Sequence, residues 1–81
     1  MKRYKINQHI RQLLNLSSTE LAKRVEVTRQ TINNYERGVC LNKPTERVIE
    51  IELDLEIEKC TNEKIKSICE DLKRERVKGL A

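Results

Sequence analysis

Two short helical segments in direct succession, between residues 17 and 38, constrain the fold of this chain more than any other feature. The first begins at Ser17, a favourable N-cap residue, and Glu20 three residues later completes a capping box. The second begins after the N-cap residue Thr28 and ends at Gly38, a residue type that often closes a helix in the left-handed conformation. The spacing therefore predicts two short helices joined by a tight turn.

The second of these helices carries polar side chains on its outer, N-terminal face. They belong to Thr28, Arg29, Gln30, Asn33 and Asn34. An α-helix fits the major groove of DNA, where Arg can read guanine and Gln or Asn can read adenine through paired hydrogen bonds. The face is therefore suited to reading base edges, although the same residues also fit an ordinary polar surface of an all-α domain.

Helices are expected over most of the chain, because only two glycines and one proline interrupt it. Apolar residues at helical spacing predict a first helix over residues 5–15 and a last helix that begins at Thr61 or Asn62. Before this last helix, Pro44 ends a loop, and Thr45 is a candidate N-cap for a fourth helix.

Residues 48–58 fit two different structures. From residue 49 onward apolar residues alternate strictly with acidic ones, which is the periodicity of a strand. Glu and Asp are poor strand residues, which argues against a short strand around residues 49–57, but the pattern alone leaves both a helix and a strand open. Either structure has more apolar residues than one small core can bury, which predicts self-association with the acidic residues facing solvent. The residues expected at the dimer interface are Ile51, Leu53, Leu55 and Ile57.

Charge is distributed unevenly along the 81 residues. Residues 1–43 contain nine Lys or Arg and three Asp or Glu, residues 44–60 contain two and six, and residues 61–81 contain six and four. A basic first half is typical of a surface that binds a polyanion, although charged runs are more often simply solvated. No apolar stretch approaches the ~20 residues of a membrane span, so we expect a cytoplasmic protein without a membrane partner.

The sequence offers little for metal or covalent chemistry. Cys40, Cys60 and Cys69 are odd in number and far apart, and His9 has no cysteine at ligand spacing, so neither disulfides nor a metal site are expected. The absence of a Gly-rich phosphate loop and of a Cys/His pair argues against an enzyme and against a bound cofactor. Two tyrosines are too few for the base stacking by which proteins bind single-stranded RNA.

Residues 16–38 resemble the helix-turn-helix of the Cro/C1-type (XRE) repressor family. The family pattern is matched at Leu16, Ser17, Leu21, Ala22, Val27, Thr28, Ile32, Tyr35, Glu36 and Gly38. The resemblance implies an all-α, lambda-repressor-like five-helix DNA-binding domain over residues 1–60, with residues 61–81 as an added C-terminal helix for dimerisation or packing. Residues 44–52 and 57–62 also resemble segments of small Cro-like proteins, which favours a lengthened helix over a strand between them. It also implies a sequence-specific regulator of transcription, in the form of a Cro-like phage or mobile-element repressor that binds a near-palindromic operator in double-stranded DNA as a homodimer.

One residue departs from the family pattern. The turn position before Val27 is usually Gly in this family, because it takes a positive φ, but here it is Glu26. A residue other than Gly costs roughly 1 kcal/mol in that conformation, so we expect a slightly strained or reshaped turn.

The resemblance also implies roles for individual residues. Those expected to read base edges are Arg29, Gln30, Asn34 and, as a further candidate, Asn33. Those expected to contact the DNA backbone are Ser18, Thr28, Arg37 and Lys43. Arg11 and Glu36 occupy the places of a structural ion pair in related repressors. Lys2, Arg3 and Lys5 are candidates for a basic arm, although a disordered terminus fits them equally.

The main alternative function is a protein-interaction module, such as an antitoxin or an anti-repressor. Such a module would use the same fold while the acidic residues 44–60 bind a partner protein. A second chain that co-purifies with this one would favour that alternative.

Overall fold

The computed structural model describes residues 2–78 as five helices without a strand, which confirms the all-α fold class. The helices are α1 (Arg3–Leu13), α2 (Ser18–Arg24), α3 (Arg29–Glu36), α4 (Lys43–Lys59) and α5 (Glu63–Lys78). We expected five helices by residue 60 and one more after it, but residues 43–59 form a single helix, so the C-terminal helix is the fifth. Residues 79–81, the end of the expected C-terminal helix, lie outside the described residues. None of the described helices is both long and apolar enough to cross a membrane.

The two helices of the central pair begin at the predicted caps. Ser17 Oγ accepts a hydrogen bond from the backbone N–H of Glu20 at 3.0 Å. Thr28 Oγ1 accepts one from the backbone N–H of Thr31 at 3.1 Å. Each bond satisfies a backbone donor that has no partner inside its own helix, and so it fixes where the helix starts.

The cap predicted for the fourth helix is wrong. Asn42, not Thr45, is the N-cap of α4, because Asn42 Oδ1 accepts from the backbone N–H of Thr45 at 2.9 Å. Pro44 therefore lies inside the first turn of the helix, where its missing N–H would have had no helical partner. Pro44, which the sequence analysis places at the end of the loop, is part of the helix.

The core lies where the five helices meet, and it is built almost wholly from aliphatic side chains. Its members are Ile6, Ile10, Leu16, Leu21, Ala22, Ile32, Tyr35, Ile49, Leu53, Ile57 and Cys69. α5 packs mainly against α1 and also against α4, while α2 packs against α3. The C-terminal helix therefore closes this core from the side opposite the central helix pair.

The faces of α4 explain why its sequence alternates. Successive residues of a helix are rotated by about 100°, so odd-numbered residues here fall on two opposite faces and even-numbered acids fall on the flanks between them. The core face consists of Ile49, Leu53 and Ile57, each at most 1% exposed. The opposite face consists of Val48, Ile51 and Leu55, which are 46%, 51% and 43% exposed.

These faces correct two expectations. Leu53 and Ile57 are covered by the core of their own chain, so their assignment to a dimer interface is wrong, whereas Ile51 and Leu55 are exposed. Most acidic residues of α4 do not simply face solvent, because the flanks of the core face lie within reach of arginines on neighbouring helices. The ion pairs are Glu50 with Arg3, Glu52 and Glu56 with Arg24, and Asp54 with Arg76.

The turn between α2 and α3 passes through the left-handed region at Glu26, as the family pattern implied. Its φ is 58°, and the only other non-glycine residue with a positive φ in the described chain is Asn15, at 57°. Asn enters this region more readily than Glu, because its short side chain can hydrogen-bond locally. Strain is therefore expected at Glu26.

Replacement of Glu26 with Gly is expected to raise the free energy of unfolding by about 0.5–1 kcal/mol. Gly adopts the positive φ without steric cost, and the greater freedom of the unfolded chain offsets part of that gain. Urea denaturation measures the change, and Asn15→Gly is the matched control, with a smaller expected gain. A less stable Glu26→Gly variant would show that the Glu26 side chain makes a compensating interaction.

Candidate nucleic-acid interface

Gly38 ends α3 and allows the following chain to pass close to α1. Its φ is 91°, and the backbone N–H groups of Gly38 and Val39 donate to the carbonyls of Tyr35 and Asn34, both at 3.0 Å. A Cβ atom at position 38 would lie 2.8 Å from the ring of Tyr4. Gly is therefore favoured by the backbone conformation, and a Cβ atom at this position would in addition displace the Tyr4 ring.

The outer face of α3 carries the side chains expected to read bases. Arg29 and Gln30 are exposed, while Asn33 and Asn34 are half-buried. Gln30 Nε2 donates to Asn34 Oδ1 at 3.0 Å, and Arg37 donates to the same oxygen. The structure thus brings three candidate residues into one hydrogen-bonded row. Amide groups in such a row still offer the donors and acceptors that pair with base edges.

A groove of about 330 Å³ runs between α1 and this face of α3. Its lining residues are Lys5, Gln8, Gln30, Asn33, Glu36 and Arg37. Lys5 Nζ donates to Gln8 Oε1 at 3.3 Å, so two polar residues of α1 border the candidate reading surface. The sequence analysis did not identify Gln8 as a candidate. The one feature of the sequence that could have indicated it is its position three residues after Lys5, on the same side of α1.

The residues expected to contact the DNA backbone lie on α2, at the two ends of α3 and on α4. Ser18 is the first residue of α2, Thr28 precedes α3, and Arg37 follows α3 and lines the groove. Lys43 begins α4 and lines a different groove, beside Arg47. The structure therefore groups Arg37 with the reading residues and places Lys43 apart from them.

Arg11 fixes the end of α3 to α1. Its Nε donates to Glu36 Oε2 at 2.6 Å and its Nη2 to Glu36 Oε1 at 3.0 Å, while Nη1 donates to the carbonyl of Leu16 at 2.8 Å. The side chains of Arg11 and Glu36 are only 13% and 8% exposed. The two residues paired by the family pattern are therefore in contact, in the two-point geometry that makes such pairs strong and directional.

Asn7 holds the neighbouring residue of α3 in a similar way, and sequence reasoning missed it. Asn7 is 1% exposed, and its Nδ2 donates to Tyr35 Oη at 2.7 Å. Asn7 and Arg11 are four residues apart, so they share one face of α1. They bind two adjacent residues of α3. Burial raises the pKa of Tyr35 to about 12, against the effect of the Asn7 hydrogen bond, so the hydroxyl is neutral at physiological pH.

Glu50 joins α4 to the same group of side chains. It accepts from Asn7 Nδ2 at 3.0 Å and from Arg3 Nη2 at 2.7 Å. Burial alone would raise the pKa of the Glu50 carboxyl, but the hydrogen bonds from Arg3 and Asn7 outweigh burial and hold that pKa below its usual value. Arg3 is therefore bound to α4 within the first turn of α1, and its assignment to a basic arm is wrong.

The described residues offer hydrogen bonds and charge at this surface, and not a metal centre. Residues 2–78 contain no cluster of side chains that could hold a metal ion. Cys40, Cys60 and Cys69 are free thiols, and burial raises the pKa of Cys69 within the core.

In a comparison with protein families, a helix-turn-helix family model matches residues 8–51. This range covers more than half of the chain and contains α2, α3 and both members of the Arg11–Glu36 pair. No curated protein and no solved structure matches the chain. The chain therefore belongs to the Cro/C1-type (XRE) helix-turn-helix family of sequence-specific, DNA-binding regulators of transcription.

Proposed function

We propose that this protein is a repressor of the phage or mobile-element type, which binds a near-palindromic operator as a homodimer and blocks RNA polymerase. One observation carries the proposal: α3 presents Arg29 and Gln30 to solvent, while buried contacts from α1 hold its inner side. A helix held in this way can enter the major groove with little loss of conformational freedom, and that favours binding.

In the proposed complex, the outer face of α3 lies in the major groove of each half-site. The residues that read bases are Arg29, Gln30, Asn33 and Asn34. The residues that contact the backbone are Ser18, Thr28, Arg37 and Lys43, and the groove beside α3 adds Lys5 and Gln8. Arg29 is assigned to guanine and the amide side chains to adenine, because their donors and acceptors match those base edges.

Replacement of Arg29 with Ala is expected to weaken binding to a selected operator by about 1–3 kcal/mol and to relax sequence preference at one position. Lys43→Ala is the matched control, because loss of a backbone contact weakens binding to all sequences alike and lowers the salt dependence of affinity. Fluorescence anisotropy on operator and unrelated duplexes measures both effects. Equal weakening on all sequences by Arg29→Ala would show that Arg29 contacts phosphate.

The exposed face of α4 is the proposed dimer interface. Val48, Ile51 and Leu55 form one apolar stripe that is about half exposed, and such a stripe gains free energy when a second surface covers it. The exposed side chains of Arg47 and Glu58 lie along the same edge of the stripe, at its opposite ends. Antiparallel pairing of two copies would therefore place opposite charges together, as a two-fold interface requires.

Sedimentation tests the dimer. At tens of micromolar without DNA, the wild-type chain is expected to sediment as a dimer. Ile51→Glu is expected to sediment as a monomer, because dimerisation would bury an unpaired carboxylate in the interface. Ile68→Glu is the matched control, since Ile68 is a comparably exposed residue of α5, at 47%, outside the stripe. A monomeric wild type under these conditions would contradict the interface. Two monomers would then have to bind the two half-sites of the operator cooperatively.

The charge-reversed variants Arg47→Glu and Glu58→Arg sharpen this test. Each alone is expected to weaken self-association, and an equimolar mixture of the two is expected to restore it. The antitoxin or anti-repressor alternative is less well supported, because four acidic residues of α4 are already paired with arginines of the same chain. A second protein that co-sediments with the chain would favour it.

A further inference from the structure

Two buried hydrogen bonds connect the C-terminal helix to α3. Arg76 of α5 is 4% exposed, and its Nη1 donates to Asn7 Oδ1 at 2.8 Å. Asn7 Nδ2 in turn donates to Tyr35 Oη at 2.7 Å. A continuous path therefore leads from α5, through one side chain of α1, to the last turn of α3. Arg76 lies outside the range that matches the helix-turn-helix family.

The carboxamide of Asn7 can take only one orientation in this network. Its oxygen faces the guanidinium of Arg76, and its amide nitrogen donates to Tyr35 and to Glu50. A rotation by half a turn would place the oxygen against the Glu50 carboxylate and the N–H groups against the guanidinium. Arg76 and Glu50 therefore decide that Asn7 donates to Tyr35.

A contribution to the stability of the fold does not by itself account for a buried arginine at position 76. Its Nη2 donates to both carboxylate oxygens of Asp54 at 3.0 Å, but its buried Nε has no hydrogen-bond partner within residues 2–78. Burial of a charged group with an unsatisfied donor costs free energy that an apolar side chain of similar size would not. Arg76 donates a directional hydrogen bond to Asn7, and an apolar residue at this position could not donate one.

We propose that Arg76 is a positioning residue for DNA recognition, which acts through Asn7 and Tyr35 to fix the angle at which α3 presents its base-reading side chains. This inference rests on the proposed function. Tyr35 directly follows Asn34 in the chain, so a shift of Tyr35 at the inner side of α3 moves the reading face with it. Loss of the path is therefore expected to reduce discrimination between sequences more than binding to DNA in general.

The test compares two affinities for each variant. One probe is a duplex that the wild type selects from a random pool, and the other is a scrambled duplex of the same composition. Tyr35→Phe deletes only the hydroxyl, and Arg76→Met deletes the donor to Asn7 while it keeps a long apolar stem. We expect each variant to lower the ratio of selected to scrambled affinity by about 5- to 20-fold, with little change in affinity for the scrambled duplex.

Cys69→Ala is the matched control, because it removes buried atoms from α5 without a hydrogen bond to the path. A variant that is merely less folded loses affinity for both duplexes by the same factor, so its ratio stays at the wild-type value. Should Arg76→Met fail to fold because Asp54 loses its partner, the double variant Arg76→Met with Asp54→Asn takes its place, since no unpaired carboxylate then remains.

Three results would overturn the inference: a wild-type ratio in Tyr35→Phe, a wild-type ratio in Arg76→Met, or an equal fall of the ratio in Cys69→Ala. A further result would contradict the proposed function itself. If the wild type does not prefer its selected duplex, the proposed function fails, and the role of Arg76 fails with it.

Discussion

Replacement of Arg11 with Met is expected to lower the free energy of unfolding by about 3–5 kcal/mol. The substitution leaves Glu36, whose side chain is 8% exposed, as a buried carboxylate without its partner. The carbonyl of Leu16 loses its hydrogen-bond donor as well. Met keeps the unbranched apolar stem of Arg, so the lost free energy comes mainly from the charge and the hydrogen bonds and less from the packing.

Urea denaturation measures this loss, and Arg24→Met is the matched control. Arg24 also pairs with acidic residues, but its side chain is 35% exposed, so its removal is expected to cost less than about 1 kcal/mol. If Arg11→Met does not fold, the double variant Arg11→Met with Glu36→Leu should recover most of the stability, because both charges are then absent. A loss within about 0.5 kcal/mol for Arg11→Met would contradict a buried, stabilising pair.

Leu53→Ala is expected to lower the free energy of unfolding by about 2–5 kcal/mol, because it empties space in the core that the helices cannot fully close. Leu55→Ala on the same helix is the matched control, and it is expected to change stability by less than about 0.5 kcal/mol. The two leucines are 1% and 43% exposed.

Denaturation of both leucine variants at low protein concentration, where the chain is monomeric, separates core packing from dimerisation. Equal losses for Leu53→Ala and Leu55→Ala would mean that α4 is rotated from the position described. That outcome would reinstate Leu53 as a candidate for the interface.

The central helix pair could be predicted from the sequence because each of its features is decided within a few residues. Ser17 and Thr28 cap helices through backbone groups three residues away, and Gly38 relieves a local backbone strain. The positive φ of Glu26 could not come from its residue type, which disfavours it. It followed only from the position that Glu26 occupies in the family pattern.

The faces of α4 could not be assigned from its sequence. An alternation of apolar and acidic residues fits a strand, and it also fits a helix with two apolar faces on opposite sides. Which face enters the core depends on how α1 and α5 pack against α4, and no pattern within α4 itself records that packing. Because only one of the two apolar faces is buried, the assignment of Leu53 and Ile57 to a dimer interface was wrong, whereas Ile51 and Leu55 are exposed and their assignment stays a prediction.

The buried polar group around Asn7 was missed for a related reason. Arg76 and Asn7 are 69 residues apart, and no local pattern couples two such positions. Asn7 itself lies between the core residues Ile6 and Ile10, where a single polar residue carries no sign of its partner. The Arg11–Glu36 pair was found only because related repressors keep charged residues in the same places.

Selection of bound duplexes from a random pool tests the central claim most directly, namely that α3 reads DNA sequence in a homodimer. We predict enrichment of a near-palindromic site with two half-sites whose centres lie about one helical turn, roughly 10 base pairs, apart. Arg29→Ala carried through the same selection should lose preference at one symmetric pair of positions. Enrichment of a single half-site would contradict the homodimer, and a final pool as random as the starting one would contradict sequence reading by α3.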